Sequence, residues 1–216
     1  MSIKKYITQV FFKNGYILEE AVNTDFINRF LKRFREHYVS LDLIRIGGER
    51  DGGYLVPDIL SNVSHCFSPG VDDIADFESH LSREYGIKSF MADASVESAP
   101  LSDEDFFFIK KFLGTHNEDD FITLKSWMDS SLEGDEKDLI LQMDIEGAEY
   151  DVLTIESAET LNRFSFMIIE FHSLNKMFDR YFLQMITSVF EKIYRNFSIC
   201  HVHPNNCCGV SSLNGV

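Results

Sequence analysis

The sequence predicts an α/β fold: one doubly wound, mostly parallel sheet with helices on both faces, preceded by helices. Three observations carry that expectation. Residues 139–143, Leu-Ile-Leu-Gln-Met, form a short apolar run suited to a strand buried on both faces, as in parallel sheets covered by helices. Residues 63–93 alternate strand, turn, helix and strand. Residues 164–172 repeat the theme, another apolar run ending in polar side chains. The expected organisation is a helical extension over residues 1–40 and a single α/β domain over residues 41–216, a length that suits one sizeable core.

In chain order, Phe26, Phe30, Phe34 and Tyr38 recur every four residues, with Ile27 and Leu31 widening the stripe, and 23–25 offer N-cap candidates. Gly47, Gly48, Gly52 and Gly53 then crowd seven residues. They fit either a hairpin turning at Asp51-Gly52 or a loop closing over a ligand with Asp51 and Tyr54 in contact. A first strand spans 63–67, Ser68-Pro69-Gly70 turns the chain, and Ile74, Phe77, Leu81 and Tyr85 mark a helix face ended by Gly86. A second strand, 87–92, closes on Asp93. Residues 106–114 fit a helix or a strand, and Trp127 fits core packing better than stacking on a base. After 164–172, residues 178–194 read as an amphipathic helix and 197–203 as a final strand.

A glycine after one strand and an acid ending the next, here Gly70 and Asp93, is the layout of a nucleoside-binding βαβ unit, the acid accepting from ribose hydroxyls. Only one glycine stands where a dinucleotide fingerprint has three, and Asp72, Asp73 and Asp76 crowd the helix start. Those carboxylates would repel a pyrophosphate docked on the helix N-terminus. They would not repel a nucleoside that carries a sulfonium, so S-adenosylmethionine is the expected cofactor; helix capping by the same aspartates is compatible with it.

Asp144 and Glu146 follow the 139–143 run and would share a face if the strand persisted. Ligands of open α/β sheets sit outside the carboxyl ends of the strands. A right-handed crossover puts 164–172 parallel to 139–143, so Asp144, Glu146, Glu170 and His172 are expected to meet at one rim.

Composition narrows the classes further. The formal charge of −15, from 20 basic and 35 acidic residues, disfavours a nucleic-acid backbone as partner. No apolar run approaches a membrane span, the N-terminus is too polar for a secretory leader, and an anionic lipid surface would repel so acidic a chain. Four cysteines without a spaced framework suit reduced thiols and a cytoplasmic setting.

Several segments together resemble the FkbM-type class I methyltransferases: Gly52-Gly53-Tyr54, residues 67–77 with Ser68-Pro69-Gly70, Asp93, Asp144-Ile-Glu-Gly-Ala-Glu149, residues 169–172 and residues 201–206. The resemblance covers about residues 44–206, and the block 144–149 is its most specific part. It implies a Rossmann-like seven-strand methyltransferase sheet, S-adenosylmethionine as donor, and a sugar or other small-molecule hydroxyl as acceptor. Family members continue past the Asn205-Asn206 loop into a last strand, so that strand is expected to be missing here. The implied cofactor-binding residues are Asp51, Gly53, Tyr54, Ser68, Gly70, Asp93 and Asp144.

Methyl transfer to a hydroxyl needs positioning and a proton acceptor. His172 suits the latter by its ordinary pKa, with Asp144 and Glu146 orienting the acceptor. A sharper variant has Asp144, Glu170 and His172 holding Mg²⁺ or Mn²⁺ that grips acceptor hydroxyls. A zinc site of His201, His203, Cys207 and Cys208 fits by residue type and not by spacing. Two other classes remain compatible: a catalytically silent S-adenosylmethionine-binding module, and a metal-dependent hydrolase.

Overall fold

The computed structural model describes residues 3–49, 52–101, 103–204, 209 and 212. Helix α1 (Ile3–Lys13) buries none of its residues. Helix α2 (Thr24–Glu36) starts where the Asn23 side chain accepts from the Asp25 N–H at 2.8 Å. Its buried face is Ile27 and Phe30, while Phe26 and Tyr38, expected on the same stripe, are half exposed. Strands β1 (Leu43–Gly47) and β2 (Gly53–Pro57) pair antiparallel with Gly47 opposite Gly53, so the glycine-rich segment is a hairpin. A β-carbon on Gly53 would lie 1.9 Å from the Gly48 carbonyl oxygen, which is why that crossing needs glycine. Asp51 lies outside the described residues.

The domain proper follows. It comprises β3 (His65–Pro69), α3 (Asp76–Tyr85), β4 (Lys88–Ala92), β5 (Phe106–Ile109), β6 (Phe112–Leu113), β7 (Phe121–Ile122), α4 (Leu124–Ser131), β8 (Leu139–Met143), α5 (Glu149–Ile155), α6 (Ala158–Leu161), β9 (Phe164–Ile169) and α7 (Arg180–Ile193). The main sheet has the order β5-β4-β3-β8-β9 with every pairing parallel. This is the Rossmann-like α/β sheet that the apolar runs foretold. From β3 the chain winds outward through β4 to β5, then returns to the other side of β3 with β8. The topological switch therefore falls between β3 and β8, where such sheets open a crevice beyond their strand ends.

The strand expected at 63–67 is displaced to His65–Pro69, so Ser68 and Pro69 continue the strand instead of turning it. The turn waits for Gly70, whose φ of 83° suits glycine. The 106–114 segment resolves as two strands, β5 and β6. The strand expected at 197–203 does not form: those residues make one isolated bridge, Ile199 with Tyr38. There the Ile199 N–H donates to the His37 carbonyl and its own carbonyl accepts from the Val39 N–H, so the segment straps the end of α2 rather than extending the sheet.

Every residue of β8 is buried because both sheet faces are covered. On one face Phe67, Leu139 and Leu141 pack with Trp127, whose ring meets Phe67 edge-on at 4.9 Å, so the tryptophan is core. On the other, Cys66 and Ile140 pack with Ile46 and Val56 of the hairpin and Phe77 and Leu81 of α3. A third cluster joins Ile27 and Phe30 of α2 to Tyr150 of α5 and Leu183, Ile186 and Phe190 of α7.

Gly70 and Gly86 give a paired test. Both have positive φ, but a β-carbon on Gly70 would lie 1.6 Å from the Asp144 carbonyl oxygen, whereas one on Gly86 meets nothing within 4 Å. We expect Gly86→Ala to cost about 1 kcal/mol and Gly70→Ala at least about 2 kcal/mol more, read as midpoints of chemical denaturation.

Candidate active site at the rim of the sheet

The first half of the site is the turn after β3. The Gly70 N–H donates to the Ala92 carbonyl at 2.9 Å, which ties this turn to the end of β4. Asp93, nearly buried, accepts from the Asp72 N–H at 3.1 Å through Oδ2 and from Ser95 N–H and Oγ at 2.8 and 2.6 Å through Oδ1. It braces both loops, and Oδ2 retains a lone pair for a further donor. The aspartates do not cap α3: its N-cap is Ala75, with no side-chain hydrogen bond. Asp72 instead adopts a φ of 43°, pointing its N–H at Asp93.

The second half is the loop after β8. Here the strand does not persist through Glu146: that residue and Gly147 have φ of 55° and 108°, and the chain turns at once. The Glu146 side chain is 88% exposed, so it borders the mouth and does not share a strand face with Asp144. The residue that shapes the turn is Glu149, the first of α5 and fully buried. Its Oε1 accepts from the Ile145 and Gly147 N–H groups at 3.2 and 3.1 Å and from His172 Nδ1 at 3.0 Å. The His172 backbone is held in turn by the Tyr150 hydroxyl, which donates to its carbonyl at 2.8 Å.

A carboxylate only accepts, so the neutral imidazole carries its proton on Nδ1, toward Glu149. Nε2 is then the lone-pair nitrogen. It faces Glu146, Asp144 and Glu170 carboxylate oxygens at 3.5, 3.8 and 3.9 Å. Asp144, Glu146, Glu170 and His172 thus meet at one rim, as their spacing implied, with Glu149 beneath them. In the sequence Glu149 stands out only as the last residue of the 144–149 block. A signal was present: a turn of three residues ahead of a helix leaves N–H groups that an acid at the first helical position can satisfy.

The crowding has electrostatic consequences. Burial, then the Glu170 charge, raises the Asp144 pKa from 3.8 to about 6 against the opposing pull of His172. Burial works against the His172 imidazolium, but Glu149, then Asp144 and Glu146, outweigh it and raise its pKa. Asp144, Glu149 and His172 offer ligand atoms within 4.8 Å of one another, a grouping compatible with a cation. Among the described residues Asp144 Oδ1 and Glu149 Oε2 are buried without a hydrogen-bond partner. Glu170, named with Asp144 and His172 as a candidate ligand, borders this group. His201 and His203 stack at 6.4 Å, and Cys207 and Cys208 lie outside the described residues.

On the hairpin side, the Tyr54 hydroxyl accepts from Gln142 Nε2 at 3.2 Å, and burial followed by the Asp144 charge pushes its pKa up. Ser68 is fully buried against Glu78 and Gln142, below the turn rather than at its surface.

A parallel sheet with its switch at β3/β8, a one-glycine turn and an acidic rim define an α/β domain with a ligand crevice at the ends of its strands. Residues 72–196 match the model of the methyltransferase FkbM domain, and the chain belongs to that family: it is a methyltransferase. Neither the curated proteins nor the solved structures yield a match to this chain.

The raised Asp144 pKa sets a stability test. The folded state holds the proton more tightly than the unfolded, so stability falls as pH rises from about 4 to about 6 and stays lost above. Asp144→Asn removes that loss: the variant should match the wild type near pH 4 and exceed it by about 1–2 kcal/mol at pH 8, after discounting for solvent screening. Urea denaturation at both pH values checks it.

Proposed function

We propose that the chain methylates a hydroxyl oxygen of a sugar or similar small molecule, using S-adenosylmethionine as donor. The observation that carries this reading is His172: Nδ1 fixed by buried Glu149 and Nε2 open toward Asp144, beside the turn braced by Gly70 and Asp93. The acidic rim suits a sulfonium, and the spare acceptor capacity of Asp93 suits a ribose hydroxyl. The bound cofactor would supply the electrophilic methyl group. Gly70 and the backbone around it would line its amino-acid end, with Tyr54 nearby. Asp144 would orient the acceptor hydroxyl, and His172 Nε2 would take its proton as the oxygen–methyl bond forms. Glu149 would stabilise the resulting imidazolium, and Glu146 would meet the acceptor at the mouth.

This reading predicts an activity that rises with pH through a pKa above the ordinary histidine value of about 6.5. His172→Asn should lower kcat by roughly 10²–10³ while S-adenosylhomocysteine affinity, read by calorimetry, stays unchanged. Glu149→Gln should move the acidic limb of the profile to lower pH. Full activity in His172→Asn would remove the proposed base.

A second reading is favoured by the unpartnered Asp144 Oδ1 and Glu149 Oε2. With His172 they would hold Mg²⁺ or Mn²⁺, which would supply a Lewis acid for acceptor hydroxyls. His172 would then be a ligand and not the base. Turnover abolished by a chelator and restored by Mn²⁺ selects this reading; turnover indifferent to the chelator selects the first.

A further inference from the structure

Beneath the rim, on the face of the sheet covered by α3, polar side chains cross otherwise apolar packing. Ser68 of β3, Glu78 of α3 and Gln142 of β8 are all buried. Ser68 Oγ contacts both Glu78 Oε1 and Gln142 Oε1, and Gln142 Nε2 reaches the Tyr54 hydroxyl of β2 at 3.2 Å. The Tyr54 ring is held edge-on to Phe77 at 5.5 Å.

Counting protons fixes the direction of this chain. Two oxygen–oxygen contacts meet at Ser68 and need two protons. With the Gln142 amide oriented as it stands here, Oε1 toward Ser68 and Nε2 toward Tyr54, the serine hydroxyl has one and the Gln142 carbonyl has none, so the second sits on Glu78. Burial independently pushes the Glu78 pKa up. Every bond then runs one way. Glu78 donates to Ser68, Ser68 to the Gln142 carbonyl, and the Gln142 amide to the Tyr54 oxygen. Tyr54 is left with its own proton pointing onward, in the field of Asp144 and Glu170.

We propose that Glu78, as a neutral acid, orders this chain so that Tyr54 offers its hydroxyl proton to the α-carboxylate of the cofactor's amino-acid end. This rests on the proposed cofactor. Asp144, Glu146, Glu149 and Glu170 are all acceptors, suited to the ammonium and sulfonium of that ligand and repulsive to its carboxylate. A donor locked in one direction answers the remaining group. Tyr54 touches the ligand; Glu78, Ser68 and Gln142 are positioning residues.

The test uses the full chain and two nucleosides, S-adenosylhomocysteine and 5′-methylthioadenosine, which lacks the amino-acid end. Tyr54→Phe should weaken S-adenosylhomocysteine about tenfold or more, the range of a hydrogen bond to a charged group, and leave methylthioadenosine unchanged. Glu78→Gln, whose amide can still donate to Ser68, should bind both as the wild type does. Glu78→Leu should lose affinity as Tyr54→Phe does, with no further loss in the double variant. Should Glu78→Leu not fold, infrared spectra decide: the wild type should show a protonated carboxylic acid band near neutral pH that Glu78→Gln lacks. An ionised Glu78, or equal loss of both nucleosides in Tyr54→Phe, overturns the inference. A wild type that binds neither nucleoside overturns the proposed cofactor and this inference together. That outcome is distinct from a wild type that binds while Tyr54→Phe loses nothing, which overturns the inference alone.

Discussion

The rim is organised by one buried carboxylate. Glu149 contributes an oxygen that satisfies two loop N–H groups and the Nδ1 of His172. A fully buried acid is costly unless it is paired and hydrogen-bonded, and here those bonds are also what fold the 145–147 turn and orient the imidazole. Remove that oxygen and two things fail together: the turn loses its internal acceptor and the ring loses the partner that fixes its tautomer. Local folding and reactivity are the same interaction viewed from two sides.

That interaction is supported from a distance. Tyr150, next to Glu149 in α5, holds the His172 carbonyl and packs its ring with Phe171 and Phe182. The same cluster includes Ile27 and Phe30 of α2. Helix α2 therefore contributes to the packing that fixes the imidazole. Burial of such aromatic and aliphatic side chains contributes on the order of 1.5–3 kcal/mol each, enough to lock a side chain whose own hydrogen bonds are worth less.

What was legible in the sequence follows from how much each feature depends on local pattern. The buried strands β8 and β9 stood out because both-face burial leaves an uninterrupted apolar run, and Asp144 and His172 because they end those runs. The β3 boundary was misread because Pro69 suggests a turn, whereas Pro69 is the last strand residue and Gly70 alone has the positive φ. The 197–203 segment alternates like a strand, yet among the described residues it pairs only through one bridge, Ile199 with Tyr38. Glu146 reaches the rim by another route than its spacing suggests, since two residues share a face only while the chain stays extended and here it turns. Glu149, Glu78 and Gln142 escaped because their importance lies in partners distant in sequence, and no periodicity records which buried polar group meets which.

The approach of Gly70 to the Asp144 carbonyl has a consequence for how the crevice works. With no room even for a methyl group between them, the turn after β3 and the acidic turn form a single stiff jaw. Neither can shift without carrying the other. Adjustment to differently shaped guests then falls to the opposite side, where the β1–β2 hairpin leans on α3 and the Tyr54 ring and hydroxyl meet Phe77 of α3 and Gln142 of β8. Selectivity among guests is accordingly expected to evolve in the hairpin, while the jaw stays constant.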